Sequence, residues 1–268
     1  MHPRPTLASR VRAGIAVIAV GSALSGCTGS EARRGGSRPS TPRGALTVSA
    51  ASSLTGAFSQ IAKGFSARYP NVRVSFNFGP SSTLATQLTQ GAPAGVFAAA
   101  DTATMQRVVD DNLVIAAPTV FAANRLVIAT KPGNPHHVKS LADLADLGTV
   151  ALCGADVPCG KYAAQVLQSA GVTLAESEIT RGADAKATLA AVRTGDADAA
   201  IVYATDAKSA GAAVTAVGIP DHDDVIVSYP IAALTRGDNA PAATAFVRWV
   251  TSTSGQATLR RFGFLPGR

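Results

Sequence analysis

Val48-Ser49-Ala50-Ala51-Ser52-Ser53-Leu54-Thr55 closes a β-like run with small hydroxyl residues and passes directly into a helical pattern. Phe78-Gly79-Pro80-Ser81-Ser82-Thr83-Leu84 repeats the arrangement, with Ser81 28 residues after Ser53. A strand that ends in Ser and opens a helix puts a hydroxyl and free backbone N–H groups at one point, where an anion can sit. Ser is also a favoured N-cap, so either residue could do no more than close its own helix. Two such turns in quick succession, neither carrying a cation, favour an anion site built from neutral donors.

Outward from these turns, strand-like and helix-like runs alternate. Strands are predicted at residues 46–50, 73–78, 96–99, 126–130, 149–152, 199–203, 214–217 and 225–234. Helices are predicted at residues 54–68, 83–89, 102–111, 161–170, 184–193, 241–251 and 255–262. In the first helix Leu54, Phe58, Ile61 and Phe65 share one face. This alternation predicts an α/β fold with mixed, mainly parallel sheets flanked by helices. The extended runs at 124–130 and 225–234 are placed to carry the chain out of one lobe and back. That predicts lobe I from residues 44–124 plus 230–268, lobe II from 125–229, and a ligand cleft between them.

The first 43 residues read as address and tether. Arg4, Arg10 and Arg12 precede an apolar or small stretch of 11 residues, Gly14 to Leu24, long enough for a signal segment and too short to span a bilayer. Leu24-Ser25-Gly26-Cys27 resembles a bacterial lipobox, which implies a signal peptide over residues 1–26 and lipidation of Cys27. Several acyl chains on one Cys would anchor the protein stably at the outer face of the cell membrane. Residues 27–43, rich in Gly, Ser, Pro and Arg, read as a flexible tether reaching roughly 20–25 Å.

Charge supports the same division. Arg4, Arg10, Arg12, Arg33, Arg34, Arg38 and Arg43 lie in the first 43 residues, where Glu31 is the only acid. Of the chain's 24 basic and 17 acidic residues, that leaves 17 and 16 in residues 44–268. The folded part is nearly neutral, which argues against nucleic acid as a partner. Besides Cys27 the chain holds Cys153 and Cys159, whose spacing can close a small loop by a disulfide in an exported protein.

Three further segments carry candidate donors. Val157-Pro158-Cys159-Gly160-Lys161-Tyr162 is a small-residue turn opening a helix. With Gly154 it falls short of a phosphate-binding loop, because the glycine spacing is one residue too long and Tyr162 stands where Ser or Thr is needed. Gly182-Ala183-Asp184-Ala185 opens another helix, with Asp184 as its N-cap and the Ala185 N–H spare. Ile201-Val202-Tyr203 ends an apolar strand with a hydroxyl, and a buried Tyr requires a partner for its O–H.

In this order the segments resemble the molybdate-binding proteins of bacterial ABC importers, a branch of the type II periplasmic binding fold. The resemblance runs from about Leu46 to Phe264. It implies a two-lobed architecture with two hinge crossings, and a ligand set of Ser53, Ser81, Cys159, Ala185 and Tyr203. It implies molybdate or tungstate as cargo, no cofactor, no metal site other than the oxyanion itself, and a membrane permease as partner of a monomer. Two departures stand out: Gly95 occupies a position usually acidic, and Cys159 brings a possible disulfide into the binding turn. A donor-only cage would reject hydrogen phosphate, whose proton would be buried unpaired, and would reject sulfate by size.

Other readings are weaker. A serine hydrolase needs a base, yet beyond His2 the histidines are only His136, His137 and His222, and no Gly-x-Ser-x-Gly or Ser-x-x-Lys occurs. A binding protein of the same fold for sulfate, phosphate or an organic acid remains the alternative. Carboxylate recognition usually employs Arg, which is missing from the donor turns.

Overall fold

The computed structural model describes residues 41–237 and 239–267. The expected signal segment, Cys27 and residues 27–40 of the expected tether lie outside the described residues. Among the described residues, no helix is long and apolar enough to cross a membrane.

The chain first lays down β1 (Gly44–Ala51), a 3₁₀ turn (Ser52–Leu54), α1 (Thr55–Arg68), β2 (Val72–Gly79), α2 (Ser81–Thr89), β3 (Val96–Ala98), α3 (Thr102–Asp110) and β4 (Thr119–Asn124). It then builds β5 (Leu126–Thr130), β6 (Val150–Cys153), α4 (Pro158–Ser169), β7 (Ile179–Gly182), α5 (Ala185–Thr194), β8 (Ala199–Tyr203), α6 (Ala204–Ala210) and β9 (Thr215–Gly218). β10 (Val227–Ala233), α7 (Ala240–Thr251), α8 (Thr253–Arg261) and β11 (Leu265–Pro266) complete it.

Two sheets result, ordered β11-β4-β10-β3-β1-β2 and β7-β6-β8-β5-β9. Both are mixed. β1 pairs in parallel with β2 and β3, and β6 with β7 and β8. The strands flanking the crossings, β4, β5 and β10, pair antiparallel with their neighbours, so the sheets are less parallel than strand–helix alternation alone predicts. The chain leaves the first sheet between Asn124 and Leu126 and returns between Gly218 and Val227. The return precedes the expected boundary at residue 230, because β10 is already in register with β4 at Val227, opposite Asn124.

The first core is aromatic. Phe58 and Phe65 of α1, both fully buried, pack on Phe246 of α7 with ring centroids 6.0 and 5.2 Å away. Leu54 and Ile61 complete the buried face read from the sequence. Each such side chain contributes about 1.5–3 kcal/mol by leaving water, which fixes α1 and hence the turn at its start. At Gly95 a Cβ would approach Leu46 Cδ1 to 2.7 Å, so a side chain there requires the buried Leu46 to shift.

Candidate functional site

The parallel strands of both sheets point their carboxyl ends at one place, the position where open α/β sheets bind ligands. β1 and β2 deliver Ser53 and Ser81 from the first sheet. β6, β7 and β8 deliver Cys159, Ala185 and Tyr203 from the second. These five line a single cavity of about 20 Å³ together with Ala51, Ser52, Gly79, Pro80, Ala100, Val157, Pro158 and Asp184. Among the described residues, no lysine or arginine lines it. Drug-sized pockets run to about 300–1,000 Å³, so in this conformation the space suits a compact ion and not an extended organic solute.

The serine hydroxyls do not cap their own helices. The helix following Ser53 has no side-chain cap, and Ser53 Oγ instead lies 3.0 Å from Tyr229 Oη. Ser81 Oγ accepts the Ala100 N–H at 3.0 Å, which leaves its own proton for the cavity. Ser81 and Ala185 are the first residues of α2 and α5, and Cys159 the second of α4. Their N–H groups therefore belong to first turns that have no intrahelical acceptor, and each helix adds the positive end of its dipole.

The turn before α4 is built by close approach. A Cβ at Gly160 would sit 2.0 Å from the Gly154 carbonyl oxygen, so only glycine lets the helix start against the end of β6. Cys153 and Cys159 are joined by a disulfide across this turn, tying the donor at Cys159 to the strand behind it. Thr188 Oγ1, in α5, lies 3.2 Å from Cys153 Sγ and links the turn to the neighbouring helix.

Tyr203 carries the most informative atom of the site. The residue is 2 % exposed, and its hydroxyl has no hydrogen-bond partner among the described residues. Burial, reinforced by the neighbouring Tyr229, raises the phenol well above its ordinary range. It is therefore a neutral O–H on a residue of the cavity wall, and such an orphan is costly unless something accepts from it.

One acid qualifies the donor-only picture. Asp184 reaches the cavity wall, but its carboxylate caps α5 by accepting the Ala187 N–H at 2.9 Å. Behind the wall, Asp206 in the first turn of α6 is 5 % exposed with Oδ2 unpartnered among the described residues. Burial pushes its carboxyl up to about 7, with Asp184 adding to the rise and Lys186 opposing it. Asp101 caps α3 by accepting the Thr104 N–H.

Sequence reading missed Tyr229 and Asn124. Both are fully buried, and Asn124 Nδ2 donates to Thr205 Oγ1 at 2.9 Å and to Tyr229 Oη at 3.4 Å. The available signal was a lone Tyr before Pro230 in an apolar strand. Pro cannot donate to a β-ladder, and the β10–β4 register shifts between Tyr229 and Pro230, a bulge of the kind that re-aims a side chain.

The profile of the family described as bacterial extracellular solute-binding protein matches residues 46–265. The protein called molybdate-binding protein ModA in Mycobacterium tuberculosis is 42% identical over 220 residues, covering 82% of this chain and 84% of that one. Among solved structures, the periplasmic molybdate-binding protein of Azotobacter vinelandii superposes with a TM-score of 0.76 at 20% identity, covering 83% of this chain and 100% of its own. The sulfate-binding protein SubI of Mycobacterium tuberculosis gives 0.74 at 20% identity, covering 83% and 86%. The two structures share the fold and differ in the anion each is named for.

Proposed function

This chain belongs to the bacterial extracellular solute-binding proteins, and on that premise we propose that it captures molybdate or tungstate and delivers the ion to the permease of an ABC importer. The observation that carries this reading is the cavity itself. Ser53, Ser81, Cys159, Ala185 and Tyr203 surround it with neutral donors, and one of them, the Tyr203 hydroxyl, is buried without a partner among the described residues. The 42% identical relative named for molybdate supports the choice of ion.

In this reading Ser53, Ser81 and Tyr203 donate hydroxyl protons, and Ser53, Ser81, Cys159 and Ala185 donate backbone N–H groups. Each hydrogen bond to the dianion contributes about 1.5–3 kcal/mol. The protein works as a carrier and not as an enzyme: among the described residues the side-chain partners of the two serines are Tyr229 Oη and the Ala100 N–H, and neither is a base. Ser53 and Ser81 sit on the first lobe (residues 44–124 with the C-terminal segment) and the other three on the second. Binding therefore favours the closed form, which a permease can read. Lipidated Cys27 and the basic tether hold the monomer at the extracytoplasmic face of the membrane.

Calorimetric titration with molybdate, tungstate, sulfate and phosphate tests the proposal. Tight binding of the first two is expected, with sulfate and phosphate so much weaker that they register only as competitors at high concentration. Equal affinity for sulfate refutes the molybdate assignment and retains an oxyanion carrier; silence from all four refutes both.

A further inference from the structure

A chain of hydrogen bonds runs from the crossing between the sheets to the cavity, and its direction can be worked out link by link. Asn124 is the last residue of β4, and the Arg125 N–H donates to its Oδ1 at 3.0 Å. That contact fixes the amide, because a backbone N–H requires the oxygen and not the nitrogen opposite it. The Asn124 Nδ2 group therefore faces Thr205 Oγ1 and Tyr229 Oη, at 2.9 and 3.4 Å, and donates to both. An Nδ2 group can only donate, so the Tyr229 oxygen accepts from it and its own proton points to its remaining partner, Ser53 Oγ, 3.0 Å away. Burial keeps the Tyr229 phenol protonated far above neutral pH, so the donor is always present. Ser53 thus accepts from the protein and holds its own proton for the cavity.

From this geometry we infer that Asn124 and Tyr229 are positioning residues that set the polarity of the anion site, forcing Ser53 to meet the ligand as a donor. The inference rests on the proposed oxyanion function and deepens it. Without the relay, Ser53 would have a second use for its proton, the Tyr229 oxygen, and would then present lone pairs to the cavity. A lone pair there would accept from an oxyanion that carries its own proton. Ser81 is held by the same logic, since the Ala100 N–H occupies its oxygen. Discrimination between protonated and bare oxyanions is therefore built partly behind the cavity, in residues that touch no ligand.

The test compares sulfate with hydrogen phosphate as competitors of molybdate at mildly alkaline pH. The two are dianions of matching size there and differ in a proton. In Asn124→Asp the introduced carboxylate accepts from the Tyr229 hydroxyl, Tyr229 accepts from Ser53, and Ser53 faces the cavity with lone pairs. The hydrogen phosphate to sulfate affinity ratio is expected to rise about tenfold, the weight of one hydrogen bond to a charged group. In Tyr229→Phe nothing occupies the Ser53 oxygen, so Ser53 can turn a lone pair to the cavity and the ratio is expected to rise there too, while molybdate still takes the Ser53 proton. The double variant is expected to give the same ratio as Tyr229→Phe, because the introduced carboxylate acts on Ser53 only through the Tyr229 hydroxyl. A merely structural Asn124 would add its own effect to that of Tyr229→Phe.

An unchanged ratio in Asn124→Asp, including no displacement by either ion, overturns the inference, and so does a double variant whose ratio departs from that of Tyr229→Phe. Where Asn124→Asp does not melt cooperatively, Asn124→Leu carries the test: it removes the amide donor and is expected to move the ratio the same way. Wild-type protein that binds molybdate while these ratios stay fixed separates failure of the relay from failure of the site. Wild-type protein that binds no oxyanion overturns both.

Discussion

Replacing Tyr203 by Phe separates binding from folding more cleanly than any other change in this molecule. The ring keeps its place, 5.9 Å from the Tyr229 ring and 2 % exposed, while one hydroxyl disappears. Because that hydroxyl has no partner among the described residues, the ligand-free fold loses no hydrogen bond with it. A buried polar group left unsatisfied costs about 1–3 kcal/mol, so the substitution is expected to leave the ligand-free melting temperature unchanged or to raise it. At about 2–4 °C per kcal/mol for a domain of this size, a rise is measurable. The ligand-bound state loses a charge-assisted bond of about 1.5–3 kcal/mol, which weakens molybdate binding about 10- to 140-fold. Titration calorimetry gives the affinity, and differential scanning calorimetry with and without molybdate gives both stabilities. A lower ligand-free melting temperature with unchanged affinity would refute the reasoning, because it would mean the hydroxyl serves the fold and not the ion.

Ser81→Ala carries the opposite signature. It removes an acceptor that Ala100 N–H uses, so it is expected to lower ligand-free stability by about 1–3 kcal/mol and to weaken molybdate binding about 10- to 100-fold, both read by the same two calorimetric measurements. Asp206 predicts a pH dependence. Its carboxyl is raised from 3.8 to about 7, first by burial and then by Asp184, so the folded chain keeps a proton that the unfolded chain releases. That stabilising contribution is full below about pH 4, declines as pH rises toward about 7, and is absent above it. Thermal melts across that window are expected to show the decline, and Asp206→Asn is expected to flatten it.

The two serine turns were legible because everything that makes them is local: a strand, a small-residue turn and a helix within a dozen residues. The same holds for the turns that carry Cys159 and Ala185 and for the hydroxyl at the end of β8. α6 was not legible, because Ala204–Ala210 is too short for an apolar period to declare itself. β7 was missed for a related reason: it is a four-residue edge strand that carries Arg181 and has no fully buried face. Asn124 and Tyr229 escaped for a different reason. Tyr229 reaches Ser53 across 176 residues, and the contact exists only because β10 returns to the first sheet between β3 and β4. A buried polar residue in an apolar strand signals that a partner exists, and only the register of the sheet says which.

The division of donors between the two sheets couples affinity to shape in a way that can be put in numbers. Three of the proposed contacts, at Cys159, Ala185 and Tyr203, come from the second sheet and are lost to an ion held by the first sheet alone. At about 1.5–3 kcal/mol each they amount to about 4.5–9 kcal/mol. Converting an equilibrium from 99% open to 99% closed takes about 5.5 kcal/mol of differential affinity, so the second-sheet donors suffice to drive closure. Tyr203→Phe leaves two of them, about 3–6 kcal/mol, which straddles that requirement. Saturating molybdate is therefore expected to reduce the radius of gyration of the wild-type protein in small-angle X-ray scattering, and to reduce that of Tyr203→Phe by less. Equal compaction of the two at saturation would mean that closure draws on contacts other than the ion, such as the packing of α5 against the 3₁₀ turn at Ser52–Leu54. The ligand would then report a shape already set and would not select it.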